Sequence, residues 1–242
     1  LGQHGKYRPL VRLAALFLAL MAAGPALATC RLALVLALDV SSSVDTGEYD
    51  LQRVGLAAAL DAPDVRHAIL QGAPGDVALS VYERSGNYQQ KVHLDWTVLR
   101  SHADITDAVG ILAAMTRSTS DYPTALGAGL GYGAQVMARA PKCNRRVIDI
   151  SGDGINNQGF GPDLAYRHFP LDGITVNGLV IVGHDPEVLS YYQRHVVRGP
   201  RAFAEVAQGF EDFQSAMTRK LYREINDIVL GALAPAPSAL PQ

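Results

Sequence analysis

The run RLALVLAL from Arg31 to Leu38, which ends in Asp39, limits the possible folds of this chain more than any other segment. It shows no alternation of apolar and polar residues, so a strand at this position must be buried on both faces. Strands of that kind belong to parallel sheets with helices packed on both sides. The run therefore predicts a buried strand in a layered α/β domain.

Patterns typical of strands and helices alternate along the rest of the chain. Further strands are expected at Asp76–Tyr82, Gln90–Trp96, Arg146–Ile150, Ile174–Val182 and Ala202–Val206. Helices are expected from Asp45 or Thr46 to Leu60 with a short piece to Leu70, from Ser101 or Asp104 through Met115, and at Thr124–Ala138, Pro162–Phe169, Pro186–Val196 and Phe210–Leu230. Gly86-Asn87 predicts an antiparallel hairpin between the second and third strands. The expected fold is a three-layer, doubly wound, mostly parallel sheet with one antiparallel edge strand.

The two ends of the chain are set apart from this domain. Lys6, Arg8 and Arg12 precede an apolar run of 11 residues, Leu13–Ala23, and Ala26-Leu27-Ala28 fits a cleavage signal. This pattern predicts a secretory signal peptide at residues 1–28, because the run is shorter than the about 20 residues that span a bilayer. Residues 231–242 are rich in proline and alanine and are expected to be disordered. One domain is expected at residues 29–230, in a periplasmic or secreted protein without a stable membrane span.

Charge and cysteine content narrow the possible partners and the compartment. Three of the 21 basic residues lie within residues 1–28, so 18 basic and 23 acidic residues remain after cleavage, a formal charge of −5. A chain of this charge without a basic patch is not expected to bind nucleic acid. Cys30 and Cys143 are the two cysteines. In an oxidising compartment a lone pair usually forms a disulfide, although two unrelated buried thiols remain the alternative.

Oxygen-bearing side chains follow three of the expected strands and loops. Asp39, Ser41 and Ser43 follow the first strand, Thr124 starts a helix after a polar loop, and Asp153 follows the strand at Arg146–Ile150. Loops after the carboxyl ends of parallel strands open at one edge of a sheet, so these side chains can meet. Two carboxylates and three hydroxyls suit Mg²⁺, a hard cation that prefers oxygen ligands and keeps some water. A divalent-cation site is therefore expected at this edge, with Mn²⁺ or Ca²⁺ as other possible ions.

Other patterns give weaker candidates. The seven histidines show no H-x-x-x-H or H-x-H spacing, and the chain has neither a G-x-S-x-G elbow nor a P-loop. No catalytic constellation is found, so the chain is not expected to be an enzyme. Asp149, within a strand close to Asp153, is expected to face away from the cation site and to pair with Arg145 or Arg146.

Together these motifs resemble a von Willebrand factor A (vWA) domain, in particular its bacterial exported branch known as DUF1194. Asp39-x-Ser41-x-Ser43 matches the metal-ion-dependent adhesion site (MIDAS) of that family without departure. Thr124 fits within YPTALGAGL, where Pro123 stands in place of the usual glycine, and Asp153 fits within VIDISGDGINN. ITVNGLVIVG and the ending AFAEVA…FEDFQSAM extend the resemblance over nearly the whole chain after residue 28.

The resemblance implies roles for these residues. Ser41, Ser43 and Thr124 would be direct ligands of the ion, and Asp39 and Asp153 would bind it directly or through water. The two strands that Cys30 and Cys143 precede would be parallel neighbours, so a disulfide is expected at the edge opposite the ion. The implied function is a binding module whose ion receives a carboxylate from a partner protein or ligand. The alternatives are a metal-assisted hydrolase and a scaffold that binds through a surface away from the ion.

Overall fold

The computed structural model of this chain describes residues 30–183 and 185–226. The expected signal peptide and the Pro/Ala tail lie outside the described residues. Among the helices of the described part, none has both the length and the apolar character needed to cross a membrane.

Six strands form one sheet in the order β3-β2-β1-β4-β5-β6. The strands are β1 (Cys30–Asp39), β2 (Asp76–Arg84), β3 (Gln90–Leu99), β4 (Cys143–Gly152), β5 (Thr175–Ile181) and β6 (Ala204–Ala207). The β2–β3 pair is antiparallel and every other neighbouring pair is parallel. The expected hairpin and the antiparallel edge strand are therefore confirmed.

Helices cover both faces of the sheet. They are α1 (Thr46–Asp61), α2 (Pro63–Gln71), α3 (His102–Ala113), α4 (Leu126–Ala138), α5 (Pro162–His168), α6 (Val188–Tyr191) and α7 (Phe213–Asn226). A π-helical turn, Tyr192–Val196, continues α6, and a 3₁₀ turn, Phe210–Asp212, precedes α7. The expected helices at Pro186–Val196 and Phe210–Leu230 are thus each divided into two parts.

Strand β1 separates two apolar cores. Leu32, Leu34, Leu36 and Leu38 pack into the core beneath α1, α2, α3 and α7, while Ala33, Val35 and Ala37 pack beneath α4, α5 and α6. Because successive side chains of a strand point to opposite faces, a strand between two cores must be apolar at every position. This explains the absence of alternation in the Arg31–Leu38 run, and it confirms the three-layer architecture.

Two helices begin at the residues that the sequence indicates. Asp45 accepts a hydrogen bond from Glu48 N, and the Glu48 side chain accepts one from Asp45 N, which forms a capping box at the start of α1. Ser101 and Asp104 form the same reciprocal pair at the start of α3. The α1 cap fixes the end of the loop that carries Ser41 and Ser43.

Helix α4 lies so close to the sheet that two of its glycines have no room for a side chain. A Cβ at Gly129 would lie 2.6 Å from Arg84 Cδ, and one at Gly133 would lie 2.8 Å from Tyr82 Oη. Each is well inside van der Waals contact, so these positions require glycine for close packing. Burial of Tyr82 and Arg84 offsets the cost of glycine in a helix.

Candidate metal centre

The five residues expected to hold a cation lie together at the carboxyl edge of the parallel strands. Asp39 is the last residue of β1, and Ser41 and Ser43 follow in the loop to α1. Asp153 comes directly after β4. Thr124 lies in the loop before α4, which begins at Leu126, so the expectation that Thr124 opens the helix is wrong by two residues.

An unbroken set of hydrogen bonds joins these five residues. Thr124 Oγ1 donates to Ser41 Oγ at 3.0 Å, and Ser41 Oγ lies 3.1 Å from Ser43 Oγ. Ser43 Oγ donates to Asp153 Oδ1 at 2.9 Å, and Ser41 N donates to Asp39 Oδ1 at 2.9 Å. Ser43 is exposed and the other four residues are buried, so the cluster opens to solvent on the Ser43 side.

The two carboxylates of the cluster repel each other. The pKa of Asp153 is raised by burial and then by the negative charge of Asp39, while the hydrogen bond from Ser43 acts in the opposite direction. Two buried negative charges at one point of the surface favour a cation between or beside them. The electrostatics of the cluster are therefore those of a cation site.

Arg84, which sequence reasoning missed, supplies a positive charge beneath the cluster. Its Nη2 lies 3.3 Å from Asp39 Oδ2, and both side chains are almost completely inaccessible to solvent. The same nitrogen donates to Ser151 O at 2.7 Å, while Nε and Nη1 are buried without hydrogen-bond acceptors. A Cβ at Gly152 would lie 2.7 Å from both Arg84 Nη2 and Asp39 Oδ2, so glycine is required there. The sequence does contain a signal for the burial of Arg84. This residue ends a strand two positions after Tyr82, so its side chain must point to the same buried face.

Two further side chains hold the loops of the cluster, and neither was singled out from the sequence. Arg117 Nη2 donates to Val40 O, Ser41 O and Val44 O at 2.7 to 3.1 Å. Asn157 Oδ1 accepts a hydrogen bond from Thr124 N at 2.7 Å, and Asn157 N donates to Thr124 O at 3.0 Å. Each loop is therefore held through its backbone, which leaves the ligand side chains free to face the cluster.

The residues present fit a hard divalent cation. The described part of the chain contains no group of three or more His, Cys, Asp and Glu residues that could hold a metal ion. The cluster instead offers two carboxylates and three hydroxyls, a donor set that suits Mg²⁺, Mn²⁺ or Ca²⁺. Asp39 Oδ2 is buried without a hydrogen bond and has only the Arg84 ion pair, so it retains lone pairs for an ion or for a bound water.

A groove of about 270 Å³ adjoins the cluster on the β5–β6 side. Its lining includes Asp153 and two further acidic residues, Glu48 from α1 and Glu211 from the 3₁₀ turn. Any ligand that extends from the cluster in this direction meets negative charge.

Cys30 and Cys143 form the expected disulfide at the opposite edge of the sheet. The two residues face each other in the register of β1 and β4, with their Cα atoms 4.4 Å apart. They are also the first residues of the two strands that carry Asp39 and lead to Asp153. The bridge therefore joins the two central strands at the end farthest from the cluster.

Comparison with known families gives one match over most of the chain. The family described as "Protein of unknown function (DUF1194)" matches residues 29–229. No curated protein matches the sequence.

Several solved structures share the fold at low sequence identity. Proximal thread matrix protein 1 from the mussel byssus has a TM-score of 0.57 at 14% identity, over 80% of this chain and 47% of that chain. A further structure of that protein, with a zinc-occupied MIDAS motif, has a TM-score of 0.57 at 15% identity, over 82% of this chain and 48% of that one. A von Willebrand factor type A protein from Catenulispora acidiphila has a TM-score of 0.54 at 14% identity, over 82% and 42%.

One further solved structure is matched over its own full length. BatB from Bacteroides thetaiotaomicron has a TM-score of 0.55 at 16% identity, over 81% of this chain and all of that chain. This chain spans about half the length of the matrix protein and of the Catenulispora protein. At these identities the likeness shows the fold alone, which is that of a vWA domain.

Proposed function

Because the chain belongs to the DUF1194 family and has a vWA-like fold, we propose that it is a binding module whose ligand is held through a divalent cation. Asp39, Ser41, Ser43, Thr124 and Asp153 hold the ion in this proposal, with Mg²⁺ as the expected species. A carboxylate of a partner protein or ligand completes the coordination shell. This proposal takes the chain as a binding protein and not as an enzyme.

One observation carries the proposal: the hydrogen-bonded set that runs from Thr124 through Ser41 and Ser43 to Asp153. Side-chain hydrogen bonds link Thr124, Ser41, Ser43 and Asp153 in sequence at a solvent-accessible edge, and the Asp39 carboxylate joins them through Ser41 N. The matrix protein of similar fold that has been solved with a zinc-occupied MIDAS motif supports a metal-dependent site in this proposal.

The residues of the cluster have different roles in the proposed ion site. The hydroxyls of Ser41, Ser43 and Thr124 are neutral ligands, which leave most of the ion's charge uncompensated. The Asp39 carboxylate is oriented by Ser41 N on one oxygen and by Arg84 on the other. The ion supplies a Lewis-acidic position for an incoming carboxylate, and the exposed side of Ser43 leaves that position open.

The proposed location is outside the cytoplasm, in the periplasm or secreted. It rests on the signal-peptide pattern at residues 1–28 and is supported by the Cys30–Cys143 disulfide, because disulfides persist in oxidising compartments. The proposed partner is a protein or ligand that presents a carboxylate.

A metal titration tests the site. We expect the wild-type chain to bind Mg²⁺ and Mn²⁺ in isothermal titration calorimetry, and Ser43→Ala or Thr124→Val to weaken binding about tenfold or more, since each removes one ligand oxygen. Ser42→Ala is the matched control, because Ser42 lies in the same loop and only its backbone is bonded, to Tyr122 O. Equal affinity in Ser43→Ala and Ser42→Ala would contradict the proposal. Asp39 is a poorer first target, since its removal leaves Arg84 buried without a counter-charge.

A capture experiment then tests the partner. Proteins from a cell-envelope fraction are captured on the immobilised wild-type chain, on Ser43→Ala and on the control Ser42→Ala, each with Mg²⁺ and with EDTA. We expect partners that are lost in EDTA and on Ser43→Ala but retained on Ser42→Ala. Partners that remain bound in EDTA would support the alternative of a binding surface away from the ion.

A further inference from the structure

Three charged side chains are buried together between β4 and α7, away from the cation cluster. Lys220 Nζ lies 3.1 Å from Asp149 Oδ1 and 2.6 Å from Glu224 Oε1. Each of the three is at most 1% exposed. This group corrects the expectation that Asp149 pairs with Arg145 or Arg146, because Arg146 donates to Asp172 O and Arg145 to Glu224 O. Lys220 lies in α7, far from Asp149 along the sequence, so no local sequence pattern indicates that the two residues pair.

The group contains two carboxylates for one ammonium. Burial raises the pKa of Asp149 to about 7, and the charge of Glu224 acts in the same direction while Lys220 opposes it. This shift favours the neutral carboxylic acid form of Asp149. Asp149 Oδ2 and Glu224 Oε2 are buried without a hydrogen bond, and Asp149 Oδ1 has only the ion pair with Lys220 Nζ. A simple ion-pair network would leave these polar atoms unsatisfied in an apolar core, at a cost.

Neighbouring groups hold Glu224 and Lys220 in place. Asn177, the residue opposite Asp149 on β5, donates from Nδ2 to Glu224 Oε1 at 2.6 Å. The Asn177 side-chain oxygen in turn accepts a hydrogen bond from Phe203 N at 3.0 Å. The Phe203 ring lies beneath Lys220 Nζ, 4.6 Å away. Amine, acid and proton acceptor are therefore fixed in one water-excluded pocket.

We propose that Lys220 and Asp149 become joined by an intramolecular isopeptide bond, between Lys220 Nζ and Asp149 Cγ, with Glu224 as the proton-transferring residue. The bond would tie the last helix, α7, to the central strand β4. This inference is independent of the cation site and of the function proposed for it.

The reaction balances without any co-reactant. Glu224 takes one proton from the Lys220 ammonium, and the freed lone pair of Nζ attacks Cγ of the neutral Asp149 carboxyl. Glu224 then returns that proton to the departing hydroxyl, so the Cγ–O bond breaks and water leaves. A second proton passes from the nitrogen to Glu224, which ends neutral beside a neutral amide. Ammonium, carboxylate and carboxylic acid thus become amide, carboxylic acid and water, with no oxidation or reduction.

The distances place the reacting atoms close to one another. A carboxyl oxygen lies about 1.2 Å from its carbon, so the 3.1 Å contact with Oδ1 puts Nζ no more than about 4.3 Å from Asp149 Cγ. Reactive geometry needs about 3–3.5 Å, so Nζ and Cγ have to approach by up to about 1 Å for the bond to form. Asn177 is the rival acceptor, because its Nδ2 contacts the same Glu224 oxygen and its reaction would release ammonia. Asp149 is favoured because its own carboxyl oxygen contacts Nζ.

Mass spectrometry of the intact, denatured wild-type chain tests the bond. After the true N-terminus is determined and the disulfide is allowed for, we expect the chain to be lighter than its sequence mass by one water. A peptide map should show one branched peptide that joins the Asp149 and Lys220 segments, because trypsin does not cleave after a modified lysine. A chain of full sequence mass would overturn the proposal. A loss of one ammonia would also overturn it, by assigning the link to Asn177.

Two variants test the role of Glu224 and the choice of lysine. Glu224→Gln keeps the size of the side chain but cannot carry the proton. The bond should therefore not form, and the variant should have its full sequence mass. Lys142→Arg, which changes an exposed lysine, should lose the water as the wild type does. Circular dichroism checks that both variants fold. Loss of water in folded Glu224→Gln would refute the assignment of Glu224, since a neutral amide cannot relay protons in this way.

Discussion

Arg84 acts on the same carboxylate that a bound ion would attract. Its guanidinium is buried against Asp39, and two of its nitrogens, Nε and Nη1, have no acceptors, which is a costly arrangement for a side chain that contributes only packing. The fixed charge offsets one of the two carboxylates in the cluster of Asp39, Ser41, Ser43, Thr124 and Asp153. The same charge must repel a divalent cation and lower its affinity.

Replacement of Arg84 should therefore tighten metal binding. Charges a few Å apart interact by a few kcal/mol at the effective dielectric of about 20 found in proteins, so we expect Arg84→Met to bind Mg²⁺ about tenfold or more tightly. Arg84→Lys keeps the charge and should remain close to wild type. Calorimetric titration measures both, with circular dichroism as the check on folding. A folded Arg84→Met protein with unchanged or weaker affinity would show that the arginine does not oppose the ion.

The residues of the cluster could be predicted from the sequence, whereas the side chains that hold its loops, such as Arg117, could not. Asp39, Ser41 and Ser43 lie within one short motif, and Thr124 and Asp153 follow recognisable elements, so strand order at one edge was enough to bring them together. The supports of the cluster act instead through the backbone of a distant segment. Arg117 bonds carbonyls more than 70 positions away, and no local pattern encodes such a contact.

At the scale of elements, the strands were predictable and the ends of the helices less so. Continuous apolar runs fix a buried strand, because both faces must be filled. Thr124 was expected to open α4 but lies before it, since its N–H and C=O are bonded to Asn157 and cannot enter the helix. The π turn after α6 depends on a hydrogen bond from Val197 N to Tyr192 O, a spacing that a helical periodicity does not distinguish.

The disulfide between β1 and β4 should stabilise the domain without affecting the cluster. It joins residues 113 positions apart, and closing a loop of that length is worth about 4–5 kcal/mol in the chain-entropy model. Cys30→Ser combined with Cys143→Ser should lower the free energy of unfolding in urea by about that amount. The Mg²⁺ affinity should stay within about twofold of wild type, because the bridge lies at the opposite edge of the sheet.

Reduction of the wild-type chain with dithiothreitol provides the control for the double variant. The reduced protein should unfold at the same urea concentration as the double variant. A loss of under about 1 kcal/mol would show that the unfolded chain is already restricted, for example by another crosslink, and would contradict the estimate.

At the scale of the whole molecule, charge is distributed unevenly between the two edges of the sheet. The loops and first helical turns at the cluster edge carry many acidic side chains that are at least partly exposed: Asp45, Glu48, Asp121, Asp185, Glu187, Glu211 and Asp212. In the described residues of the same loops the basic side chain is Arg117, which is held by three backbone oxygens. Basic residues at the opposite edge include Arg100, Arg139, Lys142 and Arg198, and they lie there together with acidic residues, as in the Arg100–Asp76 ion pair. Helix and strand patterns do not reveal this asymmetry, which appears only when the loops are sorted by edge.

An acidic edge attracts cations and repels the carboxylate that the ion is proposed to bind. A partner therefore has to bring basic groups beside its carboxylate, and the groove lined by Glu48 and Glu211 is where such groups would fit. Neutralising Glu48 and Glu211 tests the effect of the local negative charge on ion binding, because neither residue is one of the five proposed metal ligands. Glu48→Gln combined with Glu211→Gln should weaken Mg²⁺ binding a few-fold at low salt, and the difference should disappear at about 1 M salt, where screening acts within about 3 Å.

Glutamine at position 48 can still accept the hydrogen bond from Asp45 N, so the α1 cap survives in this double variant. Asp64→Asn combined with Asp172→Asn makes the same change of net charge in segments that precede β2 and β5, away from the cluster. If the field at the acidic edge is what matters, this control binds Mg²⁺ as the wild type does at every salt concentration. Equal weakening in both double variants would mean that net charge, and not its place on the molecule, governs the attraction. In that case the requirement for a partner with basic groups beside its carboxylate would be lost.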